Sequence, residues 1–212
     1  PRIDELEVSE GGTLDGALIF WVPETLRTVE LPEGWELWLR IDDELPAVSP
    51  FQRPNLYREQ VEALTEQTPE RELPGVPEPD RLDRPAELSD LIVFDYLIHN
   101  GDRWGTRNTN IRSLERGGPL MYLDNAAGFT MRRPRTNLMD TRIAQVQRFR
   151  RTTIDAIRGF RMESFQRRLE GDPLAPLLDE DQLESLELRR AHLLEYVDGL
   201  AERFGEERVY SL

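Results

Sequence analysis

The chain has 212 residues, 38% of them hydrophobic, which is enough to form a substantial core. Its 41 acidic and 27 basic residues give a net charge of −14, which argues against a nucleic-acid partner because duplex binding needs a basic face. The sequence contains no cysteine, which excludes thiol catalysis, disulfides and cysteine-based metal sites within it. No apolar run approaches the roughly 20 residues of a membrane-spanning helix, so no membrane span is predicted.

The first third of the chain is predicted to contain short elements and a connector. Residues 16–22 form an apolar run, and residues 35–41 alternate apolar and polar side chains as a half-buried strand does. A short helix is predicted around residues 57–64. Between residues 65 and 85, proline, glutamate and aspartate predominate, which indicates a connector without regular structure.

A helix followed by a polar loop is predicted next. Helical spacing is shown by Leu88, Leu91, Ile92, Asp95 and Ile98, with Pro85 near the start and Asn100 and Gly101 at the end. The loop that follows contains Asp102, Asn108 and Asn110.

A β-hairpin is predicted after this loop. Residues 111–114 and 120–123 are short apolar-rich segments, and the residues between them include two glycines and a proline. Asp124 follows the second segment, so the hairpin is expected to bring Asp102 and Asp124 towards one cleft.

This order of parts matches what phosphoryl transfer from a nucleotide requires. Asp102 would orient an attacking hydroxyl, Asn108 or Asn110 would hold a divalent metal, and Asp124 would carry the metal that bridges the phosphates. The predicted cofactors are therefore ATP and Mg²⁺ or Mn²⁺. Each aspartate alone also fits a simple turn, and only their joint order favours a function.

Two segments of this region resemble a known family. LIVFDYLIHNGDRW and LDNAAGF resemble the catalytic core of the four-jointed family, atypical protein kinases of the eukaryotic secretory pathway related to the Golgi casein kinase. The resemblance covers about residues 86–205. It implies an α+β, protein-kinase-like fold in which Asp102 is the catalytic base and Asp124 binds metal, with Arg103 holding the loop or Asp102 in place.

The resemblance also implies a division of the chain and a reaction. Residues 1–64 would be the remnant of a small lobe and hinge, residues 65–85 the connector, and residues 86–212 the helical catalytic lobe. The expected reaction transfers the ATP γ-phosphoryl group to a hydroxyl, foremost Ser or Thr of a protein. A glycan or small-molecule kinase and a pseudokinase acting as a binding module are the alternatives. The lack of cysteine favours a bacterial relative, and both a cytoplasmic and an exported location stay open.

Two features depart from the kinase pattern. The metal-binding Asn usually follows the catalytic Asp by five residues, where this chain has Arg107; Asn108 is favoured instead, and Asn110 remains open. The sequence also contains no lysine, so the lysine that pairs with the nucleotide phosphates has no candidate. A missing N-terminal lobe, an arginine in the role of that lysine, or a pseudokinase would each account for this.

The remaining sequence is predicted to be a basic loop followed by two amphipathic helices. A solvated loop is favoured for Arg132, Arg133 and Arg135, with contact to an acidic peptide or a phosphate as the alternative. Apolar residues at helical spacing predict helices over 143–160 and 183–204. The second helix is expected to be capped by Asp179 or Asp181 and to end at Gly205.

Overall fold

The computed structural model describes residues 25–41, 54–67, 83–104, 110–129 and 138–212. The elements are β1 (Arg27–Thr28), a 3-10 helix (Trp35–Leu39), α1 (Pro54–Gln67), α2 (Arg84–Ile98), a 3-10 turn (Asp102–Trp104), β2 (Arg112–Ser113), α3 (Leu138–Ile143), α4 (Arg151–Gly159), α5 (Met162–Glu170), α6 (Glu180–Phe204) and α7 (Glu206–Val209). The described part of the chain is thus mostly helical with one small sheet, which agrees with the predicted α+β class. None of the helices in the described ranges is long and apolar enough to cross a bilayer.

Helix α2 lies at the centre of the core. Eleven of its side chains are buried, including Leu88 and Leu91, which are both 0% exposed. It contacts α3, α6 and the first 3-10 helix. The predicted helix over this segment is confirmed, with Pro85 in its first turn and its last residue at Ile98.

The predicted strand over residues 35–41 is wrong. Residues 35–39 form a 3-10 helix that Gly34 precedes in the left-handed conformation, at φ 70°. The side chains of Trp35, Trp38 and Ile41 are spaced by three residues and are buried in the same core as α2. A three-residue spacing suits the 3-10 helix, in which side chains three apart lie on one face.

The predicted hairpin is only partly formed. The two residues of β2 pair antiparallel with β1, with Arg27 opposite Ser113. On the other side β2 makes a single bridge, between Arg112 and Met121, so the predicted strand over 120–123 is wrong. After Met121 the chain leaves the ladder: the N–H of Leu123 donates to the carbonyl of Met121, and the carbonyl of Leu123 accepts from the Arg103 side chain.

The predicted helix over residues 143–160 is broken in its first half. Residues 144–150 form no helix between α3 and α4. The N–H groups of residues 144–146 still bond to local carbonyls, but those of residues 147–149 bond to distant ones, from Gln147 and Arg148 to Leu39 and from Phe149 to Val209. These long-range bonds replace the local ones that the apolar spacing predicted.

The predicted helix over residues 183–204 is confirmed as α6. The Asp179 carboxylate accepts from the backbone N–H of Gln182, whose side chain accepts in return from the Asp179 backbone, so Asp179 rather than Asp181 is the cap. Gly205 follows the helix at φ 85°. The helix predicted around 57–64 is likewise confirmed as part of α1.

Some predictions lie outside the described residues or stay untested. The apolar run at 16–22, residues 68–82 of the connector and the arginines at 132, 133 and 135 lie outside them. The division into 1–64, 65–85 and 86–212 stays a prediction. Residues 35–41 pack into the same hydrophobic cluster as α2 and α6.

Candidate active site

The loop with Asp102 starts from a fixed end of α2. His99 adopts the left-handed conformation at φ 60°, and the backbone N–H of Asn100 donates to the carbonyl of Asp95 at 2.8 Å. The 3-10 turn begins at Asp102, whose side chain is exposed to solvent. The buried helix therefore presents this carboxylate at the surface on a short, hydrogen-bonded turn.

Arg103 joins this loop to the segment before Asp124. Its side chain is completely buried, and its Nε donates to Asp95 Oδ2 at 2.8 Å. Its Nη1 donates to the carbonyls of Leu123 at 2.6 Å and Asn110 at 3.0 Å. Its Nη2 donates to Asn125 Oδ1 at 2.6 Å. One guanidinium thus connects four places in the chain: Asp95 of α2, Asn110 before β2, Leu123 before Asp124, and Asn125 of the predicted metal-binding motif.

Asp95 is the buried anchor of this arrangement. It is 0% exposed and accepts a second hydrogen bond from Trp104 Nε1 at 2.8 Å. Burial raises the pKa of Asp95, while the hydrogen bonds and charge of Arg103 act in the opposite direction. The Trp104 ring stacks on Trp35 with centroids 6.0 Å apart, so Trp104 fixes the loop against the core.

Asp124 and Asn110 meet at the surface. Asn110 Nδ2 donates to Asp124 Oδ2 at 2.7 Å, and both side chains have access to solvent. Asp124 adopts φ 54°, and its carbonyl accepts from Asn100 Nδ2 at 3.2 Å. Asp124 is therefore held from the α2 loop as well as from β2. Asn108, the metal ligand that the sequence favoured, lies outside the described residues.

Gly128 permits the close return of the chain after Asp124. A Cβ atom at this position would lie 3.0 Å from the carbonyl oxygen of Asn125 and 3.1 Å from Ile98 Cδ1. The backbone N–H of Phe129 then donates to the carbonyl of Ile98. A larger residue in place of the glycine of the D-N-x-x-G stretch would thus crowd the Asn125 carbonyl and the Ile98 side chain.

Helix α6 holds the same two segments from the other side. Gln182 Nε2 donates to the carbonyl of Phe129 at 3.0 Å, and Arg189 Nε donates to the carbonyl of Leu97 at 2.7 Å. Tyr96 Oη and His192 Nδ1 are 2.8 Å apart. The end of α2 and the end of the Asp124 segment therefore share one support.

The geometry joins four of the five predicted site residues. Arg103 follows Asp102 and bonds to Leu123, which precedes Asp124, and it also bonds to Asn110. The sequence predicted Asn100 only as the end of the helix and Asn125 only as part of the Asp124 motif, and it gave Asp95 only a place in the helical spacing. The signal for Asp95 was present, since it is the one carboxylate on the apolar stripe of α2.

The donor set suits a hard cation that shares its ligands with a substrate. The described residues contain no group of three or more His, Cys, Asp or Glu that could hold a metal alone. Mg²⁺ usually takes one or two carboxylates and completes its shell with water and substrate phosphates. One carboxylate and one amide, from Asp124 and Asn110, fit that pattern.

The chain is thus an α+β protein. The loop after its central helix, with Asp102 and Arg103, is bonded to the segment of Asp124 and Asn125. The family model described as "Fam20C: Golgi casein kinase, C-terminal, Fam20" matches residues 8–209. The chain therefore belongs to the Fam20 family of Golgi casein kinase. A search of the curated proteins finds no match to this chain.

Proposed function

We propose that this chain is a metal-dependent kinase that transfers the γ-phosphoryl group of ATP to a hydroxyl group, foremost of Ser or Thr in a protein. Membership of a kinase family supports the reaction class. The observation that carries the proposal is the buried Arg103, which fastens the loop of Asp102 to the segment of Asp124. This linkage would keep a base and a metal ligand at a constant separation during turnover.

Asp102 is proposed as the catalytic base. Its carboxylate is exposed on a turn whose next residue is fully buried, so a hydroxyl acceptor can approach it without disturbing the core. Asp102 would orient that hydroxyl by accepting its hydrogen bond and would take its proton late in the transfer. Arg103 acts through position, because its side chain donates four hydrogen bonds to protein oxygens.

Asp124 and Asn110 are proposed as the metal ligands. Asn110 now presents Nδ2 to Asp124, and a half-turn of its amide would present the oxygen to a cation beside that carboxylate. Asn108 remains the alternative amide. Mg²⁺ or Mn²⁺ held there would neutralise negative charge on the phosphoryl oxygens.

Within the family we infer a four-jointed-like and bacterial member, supported by the two motifs and by a sequence without cysteine. Since the sequence has no lysine, an arginine side chain would have to take the place of the lysine that contacts the nucleotide phosphates in other kinases. A pseudokinase that binds nucleotide without turnover is the second candidate, and the missing lysine favours it.

Titration calorimetry with ATP and Mn²⁺ tests the metal assignment. Asp124→Ala is expected to lose nucleotide-dependent metal binding and to keep its circular dichroism spectrum, because the side chain is exposed. Asp155→Ala, which removes an exposed carboxylate of α4, is the matched control and should bind as the wild type does. Equal affinities in the wild type and Asp124→Ala would refute the assignment.

Labelled ATP separates the proposed activities. Casein, other peptides and a panel of sugars would be offered as acceptors to the wild type and to Asp102→Asn. Loss of a general base is expected to slow transfer by about 10²–10⁴-fold while ATP and Mn²⁺ still bind. Labelled sugar with unlabelled protein would favour a glycan kinase. Nucleotide binding without transfer to any acceptor would favour the pseudokinase.

A further inference from the structure

A pocket lined by three arginines lies away from the Asp124–Asn110 pair. It has a volume of about 330 Å³, and the wall includes Arg27 of β1, Arg84 of α2 and Arg116 of the turn after β2. Among the described residues of that lining, Glu30 is the one carboxylate. A concentration of guanidinium groups is unexpected in a chain with a net charge of −14.

The three arginines differ in how they are held. Arg84 is 4% exposed, with Nη1 donating to Glu87 at 2.8 Å and Nη2 to the carbonyl of Gly118 at 2.7 Å. Arg27 and Arg116 are exposed, and within the described part of the chain neither side chain has a hydrogen bond or an ion pair. Arg84 is compensated by Glu87, whereas Arg27 and Arg116 have no such partner among the described residues, and a bound anion would relieve the repulsion between these two cations.

The pocket has a lining different from the proposed catalytic centre. Ser113 and Gly117 also line it, and the described lining contains none of Asp102, Asn110 and Asp124. Val29, another lining residue, bonds to the carbonyl of Ile111, so the pocket begins next to the segment of Asn110. The experiment below therefore has to distinguish a ligand of this pocket from a ligand of the metal site.

We propose that this pocket binds a phosphate dianion, free or as a small phosphomonoester. One guanidinium fork satisfies both oxygens of a carboxylate, whereas the two forks of Arg27 and Arg116 together match the several oxygens of a tetrahedral dianion. The pocket volume equals that of roughly ten water molecules at about 30 Å³ each, which leaves room for a group esterified to the phosphate.

Titration calorimetry of the full chain at constant ionic strength tests this site, with inorganic phosphate and glycerol phosphate as probes. The double variant of Arg27→Gln and Arg116→Gln is expected to bind both probes at least about tenfold more weakly than the wild type. The matched control combines Arg58→Gln and Arg168→Gln, two exposed arginines of α1 and α5, and makes the same charge change. It should bind within about twofold of the wild type, because only non-specific attraction changes.

Further measurements distinguish this site from the nucleotide site and identify the source of the phosphate. Asp124→Ala should keep phosphate binding, and acetate should not compete. Tighter binding of glycerol phosphate would indicate an ester ligand, and tighter binding of the free ion would indicate phosphate itself. No binding to the wild type, equal weakening in both double variants, or loss of binding in Asp124→Ala would overturn the proposal.

Discussion

Replacing Arg103 by methionine is expected to lower the free energy of unfolding by about 3 kcal/mol. Arg103 and Asp95 are both 0% exposed, and removing one partner of a buried ion pair costs about 3–5 kcal/mol because the other charge is left uncompensated. Trp104 still donates to Asp95 at 2.8 Å, which places the loss near the lower end. For a chain of this size, 3 kcal/mol corresponds to a decrease in Tm of about 6–12 °C.

Urea unfolding measures this loss against a surface control. Arg158→Met removes an arginine that pairs with Asp198 at 2.7 Å, but these side chains are 45% and 51% exposed. An exposed pair contributes about 0–1 kcal/mol, so the control should change little. Combining Arg103→Met with Asp95→Asn should cost less than the sum of the two single changes, because no buried charge is then left alone.

The reasoning would be refuted if Arg103→Met were no more destabilising than Arg158→Met, or if the Asp95 and Arg103 changes were additive. Should Arg103→Met fail to fold, Arg103→Lys supplies the measurement. It keeps the charge and loses the fork that reaches Leu123, Asn110 and Asn125. It is therefore expected to fold and to bind ATP and Mn²⁺ more weakly, which unchanged affinity would contradict.

Two further predictions concern backbone contact and alkaline pH. Gly128→Ala is expected to cost about 1–3 kcal/mol in urea unfolding and to weaken ATP binding, because its Cβ would lie 3.0 Å from the Asn125 oxygen; Gly199→Ala, with open space around it, should not destabilise. Burial raises the pKa of Tyr57, Tyr96 and Tyr196 to about 12. Because the unfolded chain releases these protons near pH 10, the folded form should lose stability as the pH rises from about 10 to 12. Tyrosinate absorbance should then rise together with loss of circular dichroism, and a rise near pH 10 without unfolding would disprove this.

Helices with continuous apolar spacing were predictable from the sequence because their hydrogen bonds are local. The α2 segment and the α6 segment with its Asp179 cap are examples. Residues 147–149 belong to the same spacing and are not helical, since Leu39 and Val209 supply the carbonyls that their N–H groups use. Partners that are more than 50 residues away leave no periodic signal in the sequence.

The candidate site likewise has features that the sequence predicts and features that it does not. The order of Asp102, Asn110 and Asp124 was readable from the motifs. The anchoring of Arg103 by Asp95 was not, because a carboxylate on an apolar helix face can serve several purposes. The bond between Arg103 and Leu123 also shortened the predicted hairpin, since that carbonyl cannot take part in a sheet and bind a side chain in the same direction.

The bonds from Gln182, Arg189 and His192 extend over three turns of α6 and end on Phe129, Leu97 and Tyr96. The candidate site therefore depends on the C-terminal helix, although α6 contributes none of the proposed site residues. A truncation before residue 180 would remove the support of both segments that carry the proposed base and the proposed metal ligand. Conversely, a partner that displaces α6 would loosen both segments at once.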